Sequence, residues 1–510
     1  MPGHWHHERL NHFGVSCTRL LDVSLLECSA RPPQPRACVF LRRVHLWQRN
    51  TGEGCAHPSA ALRYQFGVPS LAMSTTLLRA GRVICPDSGI DGTGDVLLVA
   101  GRIAAVSMKA GELSAAGAEV VDCDGLMVCP GLIDPHVHLR EPGGEHKETI
   151  ATGTAAAIAG GFTSVCCMPN TTPCLDSGPL VEFVRLRARE ANLARVFVAG
   201  AATVGRAGEQ LAPMAAMKQA GAVAFTDDGD GIANAQMMLR VLQMAKVVGC
   251  AFMQHCQEPT LTQGAAMNAG PLQVKLGLGA WPAIAEELML ERDVMLNRAV
   301  GARYHAQHVS AAGSTEILRR ARAAGQPVSG EASPHHLLLT DAACDDYNTQ
   351  AKMNPPLRTA ADVQALRAAV ADGTIDVLAT DHAPHTEAEK ARDFAQASFG
   401  IIGLEHALPL YVEALVTSGA IGWPRLIALM TIQPSKLLGL DASGLGTLRV
   451  GAPADVTVID PTARWTVDLA ASISKSRNSP FHGRNLTGRA VHVFVDGVSR
   501  QTSLATISRP

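Results

Sequence analysis

The sequence predicts an α/β protein: a (β/α)8 TIM barrel with a small β-sandwich domain formed from both flanks of the barrel. Two observations predict the barrel. Between Met127 and about Leu440, short apolar strands alternate with helix-length amphipathic segments, and eight such strands can be read. Strand–helix alternation implies a parallel sheet, and eight repeats suggest that it closes on itself. A doubly wound open sheet would carry a Gly-rich phosphate turn after an early strand, and none is present. A third observation predicts the sandwich: short strands with Gly turns recur on both sides of the barrel, and neither half has apolar surface enough to stand alone.

In chain order, residues 1–73 are expected to be an N-terminal extension, either disordered or lying ahead of a true start at Met73. Residues 1–72 hold six of the 19 histidines and four of the 13 cysteines, with little periodicity. Charges such as Arg19, Asp22 and Glu27 interrupt the apolar stretches there, so no signal-peptide core forms. Residues 74–128 form the first part of the sandwich, in "LLRAGRVI", "DVLLVAGRIAAV" and "EVVDCDG". The barrel occupies 129–444. Its strands are read in "LMVCPGLIDPHVH", "TSVCCMPN", "RVFVAGAAT", "AVAFTDD", "CAFMQHC", "RYHAQHVS", "PVSGEAS" and "IDVLATDHAPH". Thr149–Ala159, Ala235–Val248 and Thr315–Ala324 are among the intervening helices, and Gly160-Gly161 stops the first. Residues 445–500 complete the sandwich with "GLGTLRVGAPADVTVID" and "AVHVFVDG".

Composition narrows the function classes. Hydrophobic residues make up 47% and charged residues 18%, with a net charge of -2, so nothing points to nucleic acid or an anionic membrane as partner. No apolar run reaches the length of a membrane span. The cysteines are scattered without CxxC pairs, which reads as reduced thiols in a cytoplasmic setting.

Chemistry is sought at the C-terminal ends of the strands, where such barrels carry their sites. The first strand ends in Asp134-Pro-His136-Val-His138, and strand residues two apart share a face, so both imidazoles can reach one ion. Taken alone, the pair could equally be two mouth histidines satisfied by carbonyls. Other strands end in compatible groups: Asp227-Asp228 on the fourth, His255 on the fifth, His308 on the sixth and Asp381 on the eighth. Packing does not explain four histidines and two carboxylates at five strand tips, whereas a Zn²⁺-type hydrolytic centre does. Arg140, two residues beyond His138, points the same way and could clamp a substrate carboxylate, or pair with Glu141 or Glu145. Asn170 ends the second strand and could donate an amide or cap a turn. His335-His336 could support the centre or simply pack; Cys166 and Cys167 read as core, and Lys147 and Glu148 as a solvated helix start.

Seven motifs, in order, resemble the class I dihydroorotases of the amidohydrolase superfamily: "DPHVHLREPGGEHKET", "CMPNTTP", "FTDDGDG", "QHCQE", "HVS", "NPPLR" and "ATDHAPH". The similarity runs from about Leu77 to Gly497. It implies that His136, His138 and Asp381 hold one metal, His255 and His308 a second, and that Asp228 bridges them. Many amidohydrolases bridge with a carboxylated lysine after strand four; no lysine lies between Gly221 and Ala245, so an aspartate takes that place. Asp228 is preferred to Asp227 by its family-like spacing of 27 residues before His255, leaving Asp227 as structural support. The cofactor implied is Zn²⁺, two ions in preference to one.

The activity implied is reversible hydrolysis of (S)-dihydroorotate to N-carbamoyl-L-aspartate in de novo pyrimidine biosynthesis. Asp381 is read as general base and then acid, the bland alternative being a ligand only. Family likeness adds His385 and Asn170 to the Arg140 carboxylate clamp, with His138 beside it, and assigns Asn354 and the backbone near Phe399-Gly400 to the ring amides. Rival readings are an allantoinase, a hydantoinase-type enzyme, or a silent homologue scaffolding aspartate carbamoyltransferase. Retention of every ligand argues against the silent form, and Arg140 with Asn170 against a hydantoinase. A homo-oligomer or an aspartate carbamoyltransferase complex would suit the family, but no docking surface is readable.

Overall fold

The computed structural model describes residues 75–500, so expectations for residues 1–73 lie outside the described residues. The N-terminal flank supplies five strands: β1 (Thr75–Cys85), β2 (Ile90–Val99), β3 (Arg102–Ser107), β4 (Glu119–Asp122) and β5 (Met127–Pro130). The barrel follows with β6 (Leu132–Val137), β7 (Phe162–Cys167), β8 (Arg195–Gly200), β9 (Ala222–Phe225) and β10 (Ala251–Gln254). A two-stranded excursion, β11 (Met267–Asn268) and β12 (Ala280–Trp281), precedes β13 (Tyr304–Ala306), β14 (Val328–Ala332) and β15 (Val377–Leu378). The C-terminal flank adds β16 (Val456–Thr466), β17 (Asn485–Val495) and β18 (Val498–Ser499).

All neighbours from β6 to β10 and β13 to β15 pair in parallel. The ring closes where Val137, at the end of β6, bridges His382 beyond β15, with His138 N–H donating to His382 O at 2.9 Å. Nearly every residue of these strands is buried, as a sheet covered on its outside by helices requires. Ile133, Cys166, Ala199, Ala224, Ala251 and Met253 belong to one cluster within the ring. Cys167 belongs to the larger layer packed under the helices, so the two adjacent cysteines sit in different cores.

Local sequence explains the helix starts. Thr149 caps Ile150–Ala159 through a reciprocal box with Thr152, and Asn234 caps Ala235–Val248 by accepting from Met237 N–H. The helix expected at Thr315–Ala324 begins earlier, at Ala312, and ends at Ala323.

The two flanks meet in one mixed sheet of eight strands, joined where β5 pairs antiparallel with β16. Inward side chains of β1, β2, β3, β5, β16 and β17, Leu78, Val96, Ile103, Val128, Val458 and Phe494 among them, share one apolar cluster. The chain passes from this sheet into the barrel at Gly131, where a Cβ would lie 2.2 Å from Thr163 Oγ1, so only glycine fits. Arg195, at the start of β8, forks onto Asp455 at 2.7 and 3.1 Å and ties sheet to barrel. Among the described residues no helix is long and apolar enough to cross a membrane.

Candidate metal centre and substrate pocket

Each ligand candidate sits at a strand tip. His136 lies within β6 and His138 just past it; Asp228 follows β9, His255 follows β10, His308 follows β13, and Asp381 follows β15. All six are buried. Three overlapping groups have ligand atoms within 4.8 Å of one another: His136, His138 and Asp228; His136, His308 and Asp381; Asp228, His255 and His308. Asp228 is the member that touches every histidine. Its Oδ1 lies 3.3 Å from His136 Nε2, 3.6 Å from His255 Nδ1 and 3.7 Å from His308 Nε2. Its Oδ2 lies 3.5 Å from His138 Nε2. Asp381 Oδ1 is 3.0 Å from His138 Nε2 and 3.5 Å from His136 Nε2.

Three of the rings are aimed from behind. Glu331 accepts from His136 Nδ1 at 2.6 Å, Asn170 Oδ1 from His138 Nδ1 at 2.8 Å, and Gln257 Oε1 from His255 Nε2 at 2.9 Å. A neutral imidazole that donates from one nitrogen presents a lone pair on the other, so each ring offers a ligand atom to the centre. His136 Nε2 is buried without a hydrogen-bond partner, and His255 Nδ1 faces His308 Nε2 at 2.8 Å. Two ring nitrogens that close need a proton or a cation between them. The backbone is held unfavourably at the same rim: Arg140, His308 and Asp381 have φ of 59°, 31° and 47°.

The charges agree with a cation site. Burial would raise the Asp228 carboxyl, yet His136 and hydrogen bonds from three histidines hold it well below the ordinary carboxylate range. Burial likewise opposes ionisation of Glu331, but His136 and His305 hold it down at about 2. His136, for its part, is raised well above the usual imidazole range, because Asp228, Asp381 and Glu331 outweigh its burial. Two buried carboxylates, Asp228 and Asp381, around facing imidazole nitrogens are a donor set that fits divalent cations, and Asp228 belongs to two of the three groups.

Beside this centre opens a cavity of about 220 Å³ lined by Arg140, Asn170, Asn354, His385, Phe399 and Gly400, together with His138, Asp228, His255, His308 and Asp381. Arg140 has no carboxylate partner among the described residues. The alternatives are engaged elsewhere: Glu141 binds Arg187 at 2.6 Å and Glu145 accepts from Gly143 N–H at 2.8 Å. Arg140 Nε donates to Pro384 O at 3.1 Å and Nη2 to His385 Nε2 at 3.3 Å. Burial, and then the Arg140 cation, lower the His385 imidazole to about 3, so it stays neutral beside the guanidinium. Asn170 is committed first to His138, with its Nδ2 3.5 Å from Asp228 Oδ2. Asn354 Nδ2 donates to Gln257 at 3.1 Å, while its Oδ1 is buried and unsatisfied.

Other residues fall away from the centre. Asp227 accepts from Ala202 and Thr203 N–H at 2.8 and 3.0 Å and anchors the loop after β8. His335 and His336 both meet Ser333 Oγ, and His336 Nε2 donates to Pro355 O at 3.0 Å, which makes them braces for the Asn354 loop. Glu148 corrects the expectation of a solvated helix start. It is fully buried, takes hydrogen bonds from the Ser474 and Thr152 hydroxyls, and lies 3.4 Å from His382 Nε2. The returning segment around Ser474 covers it, and no local pattern announces that. Glu331 and Gln257 were not singled out from the sequence. The available signals were an acid in the apolar β14 and a glutamine two residues beyond His255.

Known proteins agree. Residues 125–314 match the family model described as dihydro-orotase-like. The chain is 47% identical to a dihydroorotase of Citrifermentans bemidjiense over 82% of its length and 98% of that protein. It is 48% identical to one of Geotalea daltonii, over 82% of this chain and 97% of the other. Among solved structures, the L-hydantoinase of Arthrobacter aurescens superposes with a TM-score of 0.75 at 25% identity, covering 84% of this chain and 96% of that one. Dihydropyrimidinase of Brevibacillus agri gives 0.73 at 24%, covering 84% and 95%, a likeness of fold. With 47% identity over 82% of its length and almost the full length of such relatives, and a buried His/Asp cluster at the mouth of a parallel barrel, this chain belongs to the dihydroorotase family, metal-dependent cyclic amidohydrolases.

Proposed function

We propose that this family member interconverts (S)-dihydroorotate and N-carbamoyl-L-aspartate, with Asp381 carrying the proton and Arg140 holding the substrate carboxylate. The observation that carries the reading is Arg140: a guanidinium without a carboxylate partner among the described residues, opening on the same cavity as the His/Asp cluster. His136, His138 and Asp381 would hold one Zn²⁺, His255 and His308 a second, with Asp228 between them. Bound there, the cations supply Lewis acidity and lower the pKa of a coordinated water.

The chain's own groups then divide the work. Asp381 Oδ1 takes His138 Nε2 at 3.0 Å and lies 3.5 Å from His136 Nε2, while its Oδ2 has no protein hydrogen bond among the described residues and is free to move a proton. As a carboxylate it accepts the proton of the attacking water. As the acid so formed it returns that proton to the ring nitrogen that leaves. Arg140 keeps Nη1 available for a carboxylate, and His385 and Asn170 flank it. The unsatisfied Asn354 Oδ1 suits a ring N–H, and Phe399 and Gly400 line the same cavity.

The hydantoinase reading draws on the solved structures of like fold, but a ring without a carboxylate would leave Arg140 desolvated and unpaired. The cytoplasm is the proposed setting, supported by nine described cysteines, all unpaired. A homo-oligomer or an aspartate carbamoyltransferase complex goes with the family, and sizing the protein with and without that transferase reads it. The direct test is turnover of dihydroorotate and of carbamoyl aspartate by the purified full chain, with metal content measured on the same sample. Preferred turnover of hydantoin or allantoin overturns the substrate assignment.

A further inference from the structure

Two lysines close to the pocket are buried to 1% exposure, Lys352 and Lys390, and neither has a carboxylate within ion-pair distance among the described residues. An unpaired ammonium in the interior is expensive, so its surroundings must supply what water would. Backbone carbonyls do. Lys352 Nζ donates to Phe394 O, Ala395 O and Ala397 O at 2.6, 3.1 and 2.7 Å. Lys390 Nζ donates to Ser398 O, Gly400 O and Lys352 O at 2.9, 3.1 and 3.3 Å. The three donors of each ammonium are thus matched by three acceptors. Burial still lowers Lys352 to about 8 and Lys390 to about 7, the mark of charges without a counter-ion. The Cys344 thiol that faces both is pushed up to about 12 by burial and stays neutral.

Five of those six carbonyls belong to one stretch, residues 394–400, which has neither helix nor strand to hold it. Lys352 Nζ also lies 4.2 Å from the centroid of the Phe399 ring, which meets Trp281 edge-on at 5.7 Å. Gly400 is committed on both sides: its N–H donates to Lys352 O at 3.0 Å, and its carbonyl takes Lys390 and Asn478. Its φ of 148° and the 2.7 Å that a Cβ would leave to Ala383 O admit only glycine. Phe399, between these anchors, is the residue of the stretch that lines the cavity with no hydrogen bond to its own N–H or C=O among the described residues.

We propose that Lys352 and Lys390 are positioning residues for substrate: by gathering the carbonyls of 394–400 they preset the Phe399 peptide groups against the ring amides of the substrate. Phe399, rather than Gly400, then offers the free backbone donor and acceptor at this edge. The inference rests on the proposed substrate contacts. If the wild-type chain does not turn over dihydroorotate, that reading fails whatever the lysines do.

The test is steady-state kinetics of the metal-loaded full chain carrying Lys390→Met or Lys352→Met, with metal content and cooperative thermal unfolding checked. KM for dihydroorotate should rise about tenfold or more while kcat stays within about threefold, the size expected for losing hydrogen bonds to the bound ring. Folded variants with wild-type KM, or a loss confined to kcat, overturn the proposal. If neither variant folds, hydrogen exchange on the wild-type chain decides. The hydrogen-bonded amides of Gln396, Ala397, Ser398 and Gly400 should be protected before orotate, the unsaturated analogue, is added. Free exchange that becomes slow only with orotate overturns the presetting.

Discussion

The metal rim and the substrate loops meet at one cavity but are built on opposite principles. The histidines and aspartates proposed to hold metal stand at or just past strand ends in the barrel, and three of the rings are aimed by Glu331, Asn170 and Gln257. The loop residues Asn354, Phe399 and Gly400 lie in segments without regular structure, and their backbone is held by two buried lysines. A rigid scaffold suits a centre that must hold several donors around cations to a fraction of an ångström. Stapled loops suit recognition, because such segments vary while the barrel stays. Damage to the rim should therefore appear in kcat or in metal content, and damage to the loops in KM.

The sharpest way to break this division is at Asp381. Asp381→Asn should lower kcat by roughly 10²- to 10⁴-fold, with KM little changed and metal content close to wild type. Full activity with normal metal would leave Asp381 a ligand only. Next comes Glu331→Gln, which removes the charged acceptor behind His136 and should weaken metal affinity about 10- to 100-fold. A chelator titration reads this, and an unaltered affinity would mean that His136 is aimed by β6 alone. Arg140→Gln tests the recognition side. Loss of charge-assisted hydrogen bonds worth about 1.5–3 kcal/mol should lower kcat/KM for dihydroorotate by about 10- to 150-fold. Turnover of dihydrouracil, which lacks the carboxylate, should be unaffected; equal losses on both would return Arg140 to a structural role.

A smaller effect separates the lysine staples from ordinary surface lysines. Lys390 is lowered from 10.5 to about 7 in the folded chain, chiefly by burial and then by Lys352. The unfolded chain therefore binds more protons between those values, and stability should rise with pH from about 7 towards 10.5. Denaturant unfolding across that range should show the slope, and Lys390→Met should flatten it. The mildest change lies far from either region: Asp455→Ala removes the fork of Arg195 at the sheet–barrel seam and leaves that guanidinium only Asp496. It should lower stability by roughly 1–3 kcal/mol and leave KM and kcat alone.

Much of the rim was legible from residues alone. Strand alternation places His136 and His138 on one face, and polar residues ending apolar strands mark Asp227-Asp228, His255, His308 and Asp381, with the family-like spacing to His255 preferring Asp228. These are local signals, carried within a few residues of each ligand, so one sequence suffices to read them. The order of motifs then named the family.

What only the tertiary structure decided is which buried polar group meets which. Glu331 reaches His136 across 195 residues, Ser474 covers Glu148 across 326, and Lys390 gathers carbonyls that no side-chain pattern could mark. It also decided that Arg140 keeps its charge for the cavity, because Glu141 and Glu145 turn to other partners. The physical reason is that periodicity reports only whether a side chain faces inward. A buried polar group is stable only with a partner, and in a closed barrel that partner comes from wherever the ring brings the chain back.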